Sequence, residues 1–166
     1  GELMLSAEVV NLLNEQVKKE MFASNLYLNM SSWCYKNHFD GAGEFLFAHA
    51  QEERDHATKL IKYLNDTDSK AVIDTIAKPE SEFDSLLDVF EKIYTHELSI
   101  TESITNLVDF TLSKKDFSTF NFLQWYVSEQ HEEEALFRGI LDKIKLIGEA
   151  SHGPYLADEY IKSLVK

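Results

Sequence analysis

Cysteine is almost missing from the 166 residues: Cys34 is the one thiol. That excludes an intrachain disulfide framework and any zinc ribbon or rubredoxin-type site. A reducing cytoplasm is the expected location. Glycine and proline are also scarce. No glycine occurs between Gly43 and Gly139, and Pro79 is the one proline in that stretch. Both residues weaken helix interiors, so their absence favours long helices. No apolar run approaches the roughly 18 residues needed to span a bilayer, so no membrane partner is expected. The start, Gly1-Glu2-Leu3-Met4, lacks the basic-then-apolar pattern of a secretory signal. Gly1 to Leu3 read as an appended remnant ahead of a native Met4. Basic residues are outnumbered, 16 against 29 acidic, for a net charge of −13, which argues against a nucleic-acid partner. That acidity suits plain solubility or the handling of cations, and composition does not separate the two.

What is present is helical periodicity. Ser6 is the expected N-cap of a first helix running to about Lys36, followed by a turn at Asn37-His38-Phe39-Asp40-Gly41. A second helix is expected from about Ala42 to Asp66, and a third from about Phe83 to Leu112. After a break at Lys114-Lys115-Asp116, a fourth runs to about Ile147. Gly148 to Gly153 break the chain again, and Pro154 suits the first turn of a short fifth helix over 154–164. In each long helix the apolar residues alternate steps of three and four, as one buried stripe requires. The second helix, for example, reads Leu46, His49, Glu53, His56, Leu60, Tyr63. The expected fold is all-α, a four-helix bundle with a fifth short helix, formed by residues 1–166 as one domain. Short turns make the first and second, and the third and fourth, helices antiparallel pairs. The polar segment 67–82, fully extended, reaches roughly 50 Å, and a helix of about 27 residues is roughly 40 Å long. That segment is therefore expected to cross the bundle end to end.

Charged residues stand in the stripes where apolar ones belong. Glu20, Glu53, Glu97 and Glu133 each interrupt an inward-facing row, as do His56 and Gln130. Singly, each has a plain structural explanation, since most helical glutamates are solvated and most core histidines are satisfied. Together they repeat. Glu20 to Glu53 is 33 residues and three more reach His56; Glu97 to Gln130 is 33 and three more reach Glu133. Each helix pair thus presents one side chain from its first helix and an i, i+3 pair from its second, on one face and near mid-helix. Four carboxylates meeting in a core without cations would be forced to protonate. Two divalent cations match their charge. Carboxylates with one imidazole and no thiolate suit iron or manganese over structural zinc or copper.

The segments His49-Ala50-Gln51-Glu52-Glu53-Arg54-Asp55-His56 and Asn121 through Glu134, with Gln130-His131-Glu132-Glu133 near its end, resemble the bacterial non-haem ferritins. The similarity extends from about Met4 to the end of the chain. It implies iron storage: Fe²⁺ is oxidised by O₂ or peroxide at a di-iron ferroxidase centre, and the ferric mineral is held in a 24-subunit shell. One iron position would be Glu20, Glu53 and His56. The other would be Glu53, Glu97 and Glu133, with Glu53 bridging and Gln130 as a hydrogen-bonding neighbour. A third iron position in that family maps onto Glu52, Glu129, Glu132 and Glu133. Tyr27 matches a tyrosine that donates an electron to the centre. Arg54 stands where bacterioferritins carry a haem-ligating methionine, so no haem is expected. Phe120 and Leu123 replace the acidic lining of the three-fold pore of animal ferritins, and that entry route is in doubt. The alternatives are a di-iron or manganese–iron oxygenase or reductase-type enzyme, which the short chain opposes, and a non-catalytic storage subunit, which the complete ligand set opposes. Trp125 and Phe120 are expected to pack, Cys34 to be a small buried hydrophobe, and His131 to be a surface or interface histidine and not a ligand.

Overall fold

The caps that start the helices are read directly from the chain. In the computed structural model, which describes residues 4–166, the Ser6 hydroxyl accepts the Val9 N–H at 3.2 Å and opens α1, Ala7–Lys36. Helix α2 spans Asp40–Asp66, α3 Leu86–Ser113, α4 Phe117–Ile147 and α5 Gly153–Lys162. Ser85 caps α3 by accepting from Asp88 N–H at 3.0 Å, and Asp116 caps α4 by accepting from Thr119 N–H at 3.0 Å. Among the described residues there is no strand, and no helix is long and apolar enough to cross a membrane. Gly1 to Leu3 lie outside the described residues.

Three helix starts differ from expectation. Helix α2 begins at Asp40, not Ala42, because the turn is only residues 37–39 and is closed by His38 at φ 66°. Helix α3 begins at Leu86, not Phe83, because Ser85 supplies the cap. Phe83 belongs to the connection, where it is buried edge-on against Trp33 at 6.0 Å between ring centroids. The α3–α4 turn is likewise closed by a left-handed non-glycine residue, Lys115 at φ 58°, a conformation costing roughly 1 kcal/mol. Helix α5 spans 153–162 where 154–164 was expected.

The connection between α2 and α3 crosses the bundle. Asn14, near the start of α1, donates to Lys70 C=O at 3.1 Å and accepts from Val72 N–H at 2.8 Å. Asn29 donates to the Pro79 and Glu80 carbonyls, both at 3.3 Å. The two asparagines are about 22 Å apart along the helix at 1.5 Å per residue, so the connection runs beside α1 and is pinned at both ends. Helices α1 and α2 form one antiparallel pair, and α3 and α4 the other.

The apolar core is divided. One cluster gathers Tyr27, Met30, Cys34, Leu46, Phe90, Ile93, Phe137 and Ile140; the other gathers Leu13, Val17, Leu60, Leu64, Ile104, Leu123 and Tyr126. On every long helix a buried polar residue falls between the two. Helix α5 docks on α2 and α4 through Ala157 and Ile161. Its Asp158 carboxylate accepts Gly41 N–H at 3.0 Å and Ala42 N–H at 2.7 Å, capping the N-terminus of α2 from another helix.

Candidate metal centre

The polar layer is made of one or more residues from each long helix. Glu20 comes from α1; His49, Glu53 and His56 from α2; Glu97 from α3; Gln130 and Glu133 from α4. All are buried, none more than 4% exposed. Helical spacing explains the convergence, because residues four and three apart on α2 stack on one face.

The ligand atoms fall into two groups that share Glu53. Glu20, Glu53 and His56 form one and Glu53, Glu97 and Glu133 the other, with the atoms of each within 4.8 Å of one another. His56 Nδ1 lies 3.2 Å from Glu53 and 3.7 Å from Glu20. Its Nε2 points the other way, to Glu129 at 3.5 Å, the outer partner that usually orients a ligating imidazole. Gln130 Nε2 donates to Glu97 Oε2 at 3.1 Å, and the Tyr27 hydroxyl donates to Glu97 Oε1. Glu20 Oε2 and Glu53 Oε1 are fully buried and accept no hydrogen bond. Orphaned carboxylate oxygens of this kind are costly unless a cation satisfies them, so the residues fit a pair of metal ions.

Protons and imidazolium charges balance the cluster without metal. Burial raises the Glu20 carboxyl to about 7. Burial, then the Glu53 and Glu133 charges, hold Glu97 well above the carboxylate range, and burial raises Glu133. Burial pushes Glu53 the same way, but the His49 and His56 imidazoles, 3.5 and 3.2 Å away, outweigh it and leave Glu53 depressed. Burial disfavours charge on both imidazoles, yet their carboxylate partners raise His49 to about 10 and His56 to about 11. The imidazolium ions thus stand where metal charge would stand, and metal binding must displace their protons.

Beside this layer lies a cavity of about 410 Å³ whose lining includes His49, Glu52, Glu129, Glu132 and Glu133. His49, Glu52 and Glu133 form a third group within ligand range. Of the residues expected at an outer iron position, Glu52 and Glu133 are therefore brought together. Glu129 turns to the His56 ring, and Glu132 stays on the cavity wall. His49, read from the sequence as one more α2 stripe position, also joins this layer. The signal was present: it is the polar residue in the α2 stripe one turn before Glu53. Trp125 is half-exposed, edge-on to His56 at 5.3 Å. His131 is exposed, and Cys34 is fully buried, its thiol pushed up to about 12 by burial.

A buried two-group carboxylate–histidine layer inside an all-α bundle defines a class, and the comparisons agree with it. Residues 10–147 match the ferritin-like domain model, and the chain belongs to the ferritin-like family. It is 70% identical over 161 residues to the bacterial non-heme ferritin of Campylobacter jejuni, covering 97% of this chain and 96% of that one. It is 45% identical over 161 residues to the bacterial non-heme ferritin of Escherichia coli O6:H1, covering 97% and 98%. Among solved structures, the open pore ferritin of Archaeoglobus fulgidus superposes with a TM-score of 0.93 at 36% identity, covering 95% and 96%. Chlorobium tepidum ferritin superposes at 0.86 with 45% identity, covering 98% and 100%.

Proposed function

We propose that this protein stores iron and oxidises Fe²⁺ as it enters. The observation that carries the reading is the buried pair of ligand groups sharing Glu53, with unpartnered oxygens on Glu20 and Glu53. Fe²⁺ is the substrate. One ion is held by Glu20, Glu53 and His56 and the other by Glu53, Glu97 and Glu133, after protons leave His56 and the raised carboxyls. Each iron gives up one electron. With O₂ the balance is two Fe²⁺, one O₂ and two protons to two Fe³⁺ and one H₂O₂; with peroxide it is two Fe²⁺, one H₂O₂ and two protons to two Fe³⁺ and two waters.

The chain's own groups bind, orient and shield. Glu53 bridges, Gln130 fixes Glu97, and the two apolar clusters keep bulk water from the pair. Tyr27, which donates a hydrogen bond to Glu97, would supply a fourth electron where a third Fe²⁺ is bound: three Fe²⁺, one O₂, the tyrosine and three protons would then give three Fe³⁺, a tyrosyl radical and two waters. Glu52, Glu129, Glu132 and Glu133, with His49 added, line the path by which iron leaves the pair or binds as a third ion. The product collects inside a 24-subunit shell of this chain, in the cytoplasm, without haem.

The test is aerobic addition of excess Fe²⁺ to the metal-free protein with particle size followed by light scattering and electron microscopy. An electron-dense ferric core inside a particle of constant outer diameter is expected. Oxidation that stops after a few irons per subunit, with no core, would point to a di-iron oxygenase and sink the storage reading.

A further inference from the structure

One buried amide beside the centre has no part in the ligand groups. Gln16 of α1 is 1% exposed and lies one helical turn before Glu20. Its Nε2 donates to Glu20 Oε1 at 3.1 Å. Its Oε1 accepts from the Ser103 hydroxyl of α3 at 2.6 Å. Ser103 Oγ in turn accepts from the exposed Lys19 ammonium at 2.9 Å.

The polarity of this chain is set at its outer end. An ammonium has three donors and no acceptor, so Lys19 obliges the Ser103 oxygen to accept. The Ser103 proton goes to Gln16 Oε1, so the amide turns its carbonyl oxygen toward α3 and its NH₂ toward Glu20. A reversed amide would set oxygen against the Glu20 carboxylate. Glu20 Oε1 is thereby occupied by a neutral donor, while Oε2 is left without a protein partner. Oε2 is the oxygen that lies 3.7 Å from His56 Nδ1. Glu97, the outer carboxylate of the other ligand group, is held differently, by Tyr27 on one oxygen and Gln130 on the other. The supports of the two positions are therefore independent.

We propose that Gln16, oriented by Ser103 and Lys19, is a positioning residue that aims Glu20 Oε2 into the Glu20–Glu53–His56 position and sets its metal affinity separately from that of the Glu53–Glu97–Glu133 position. This rests on reading the cluster as a metal centre. A neutral donor fixes the rotamer of Glu20 without cancelling its charge. The strap also forms part of the wall of a cavity of about 350 Å³ between α1 and α3, lined by Gln16, Lys19 and Ser103 among others. It therefore separates Glu20 from solvent on that side.

Co²⁺ titration of the metal-free assembled protein tests this, read by d–d absorption and by calorimetry. Wild type should load both buried positions. Gln16→Leu should weaken one Co²⁺ position by roughly 10- to 100-fold, the usual range for outer-sphere partners, and leave the others unchanged. Ser103→Ala should shift the same step in the same direction and Ser103→Thr, which keeps the hydroxyl, should restore it. In a Glu20→Ala background, Gln16→Leu should add nothing further. Unchanged Co²⁺ steps in Gln16→Leu, or an equal loss in both positions, would reduce the strap to an interhelical tie and overturn the proposal. The Ser103 pair decides the matter alone if Gln16→Leu does not fold: Ser103→Ala identical to wild type is also an overturning result. A wild type that takes up no buried Co²⁺ would overturn the metal-centre reading itself, and this inference with it.

Discussion

His49 Nε2 lies 2.6 Å from Glu133 Oε2, so an imidazole of α2 and a carboxylate of α4 share a proton across the buried middle of the bundle. The pair links stability, pH and metal. His49 and His56 are raised from 6.5 to about 10 and about 11. A raised folded pKa gives stability that is complete below about 6.5 and lost as pH rises through those values. The raised carboxyl of Glu20 acts with the same sign lower down, between 4.5 and about 7. Glu53, depressed, acts oppositely, stabilising above its ordinary 4.5 and losing that contribution as the pH falls. Between pH 7 and 10 the histidines decide, so the metal-free protein should melt at lower temperature as pH rises. Zn²⁺ should stabilise it by mass action, and more at pH 9 than at pH 6.5, because the displaced protons then cost less. Scanning calorimetry with chelator or Zn²⁺ measures both slopes. An equal Zn²⁺ shift at the two pH values would contradict the assignment of those protons.

Catalysis should depend on both ligand groups at once. His56→Ala empties the first group of its imidazole, and Glu133→Ala removes a carboxylate of the second. Each should slow the fast stopped-flow phase of Fe²⁺ oxidation by more than the roughly 100-fold that outer-sphere changes reach. Slow mineral growth should persist on the inner surface. Rapid oxidation surviving in both variants would show that the chemistry lies elsewhere.

The outer acids should affect turnover and leave the first event intact. Glu52→Ala combined with Glu132→Ala leaves both ligand groups complete and keeps Glu129 on the His56 ring. The first Fe²⁺ pair should therefore oxidise at the wild-type rate. Iron oxidised per O₂ consumed, and the rate of later additions, should change, and anaerobic titration should lose one Fe²⁺ per subunit. If all three measurements match wild type, these glutamates are ordinary acidic surface.

Docking of α5 should show in stability. Asp158→Ala removes a carboxylate that caps two N–H groups of α2, a loss of about 1 to 2 kcal/mol by the usual worth of a helix cap. Gly41→Ala should cost more. A Cβ there would stand 2.6 Å from the Asp158 carbonyl oxygen and 2.7 Å from Lys162 Cβ, so α5 must move. Chemical denaturation followed by circular dichroism ranks the two. A Gly41→Ala protein as stable as wild type would mean that α5 does not sit where it is placed.

The sequence alone determined the helices, the crossing connection and the six polar residues that converge in the buried layer. Helical periodicity is local: it assigns each residue to a face, and a glutamate on an apolar face is conspicuous in one dimension. The repeat of 33 and three then paired Glu20, Glu53 and His56 with Glu97, Gln130 and Glu133. Tertiary structure decided the rest. Phe83 fits the α3 stripe, yet Ser85 and the Trp33 ring take it into the connection. His49 was one more stripe position until α4 brought Glu133 to its Nε2. Gln16 acquired a direction only when α3 set Ser103 against it, and Asp158 reached the start of α2 across 116 residues of chain. These contacts depend on how far each helix is rotated and slid against its neighbours. That rotation and stagger are set by the packing of the whole core, which no local pattern records.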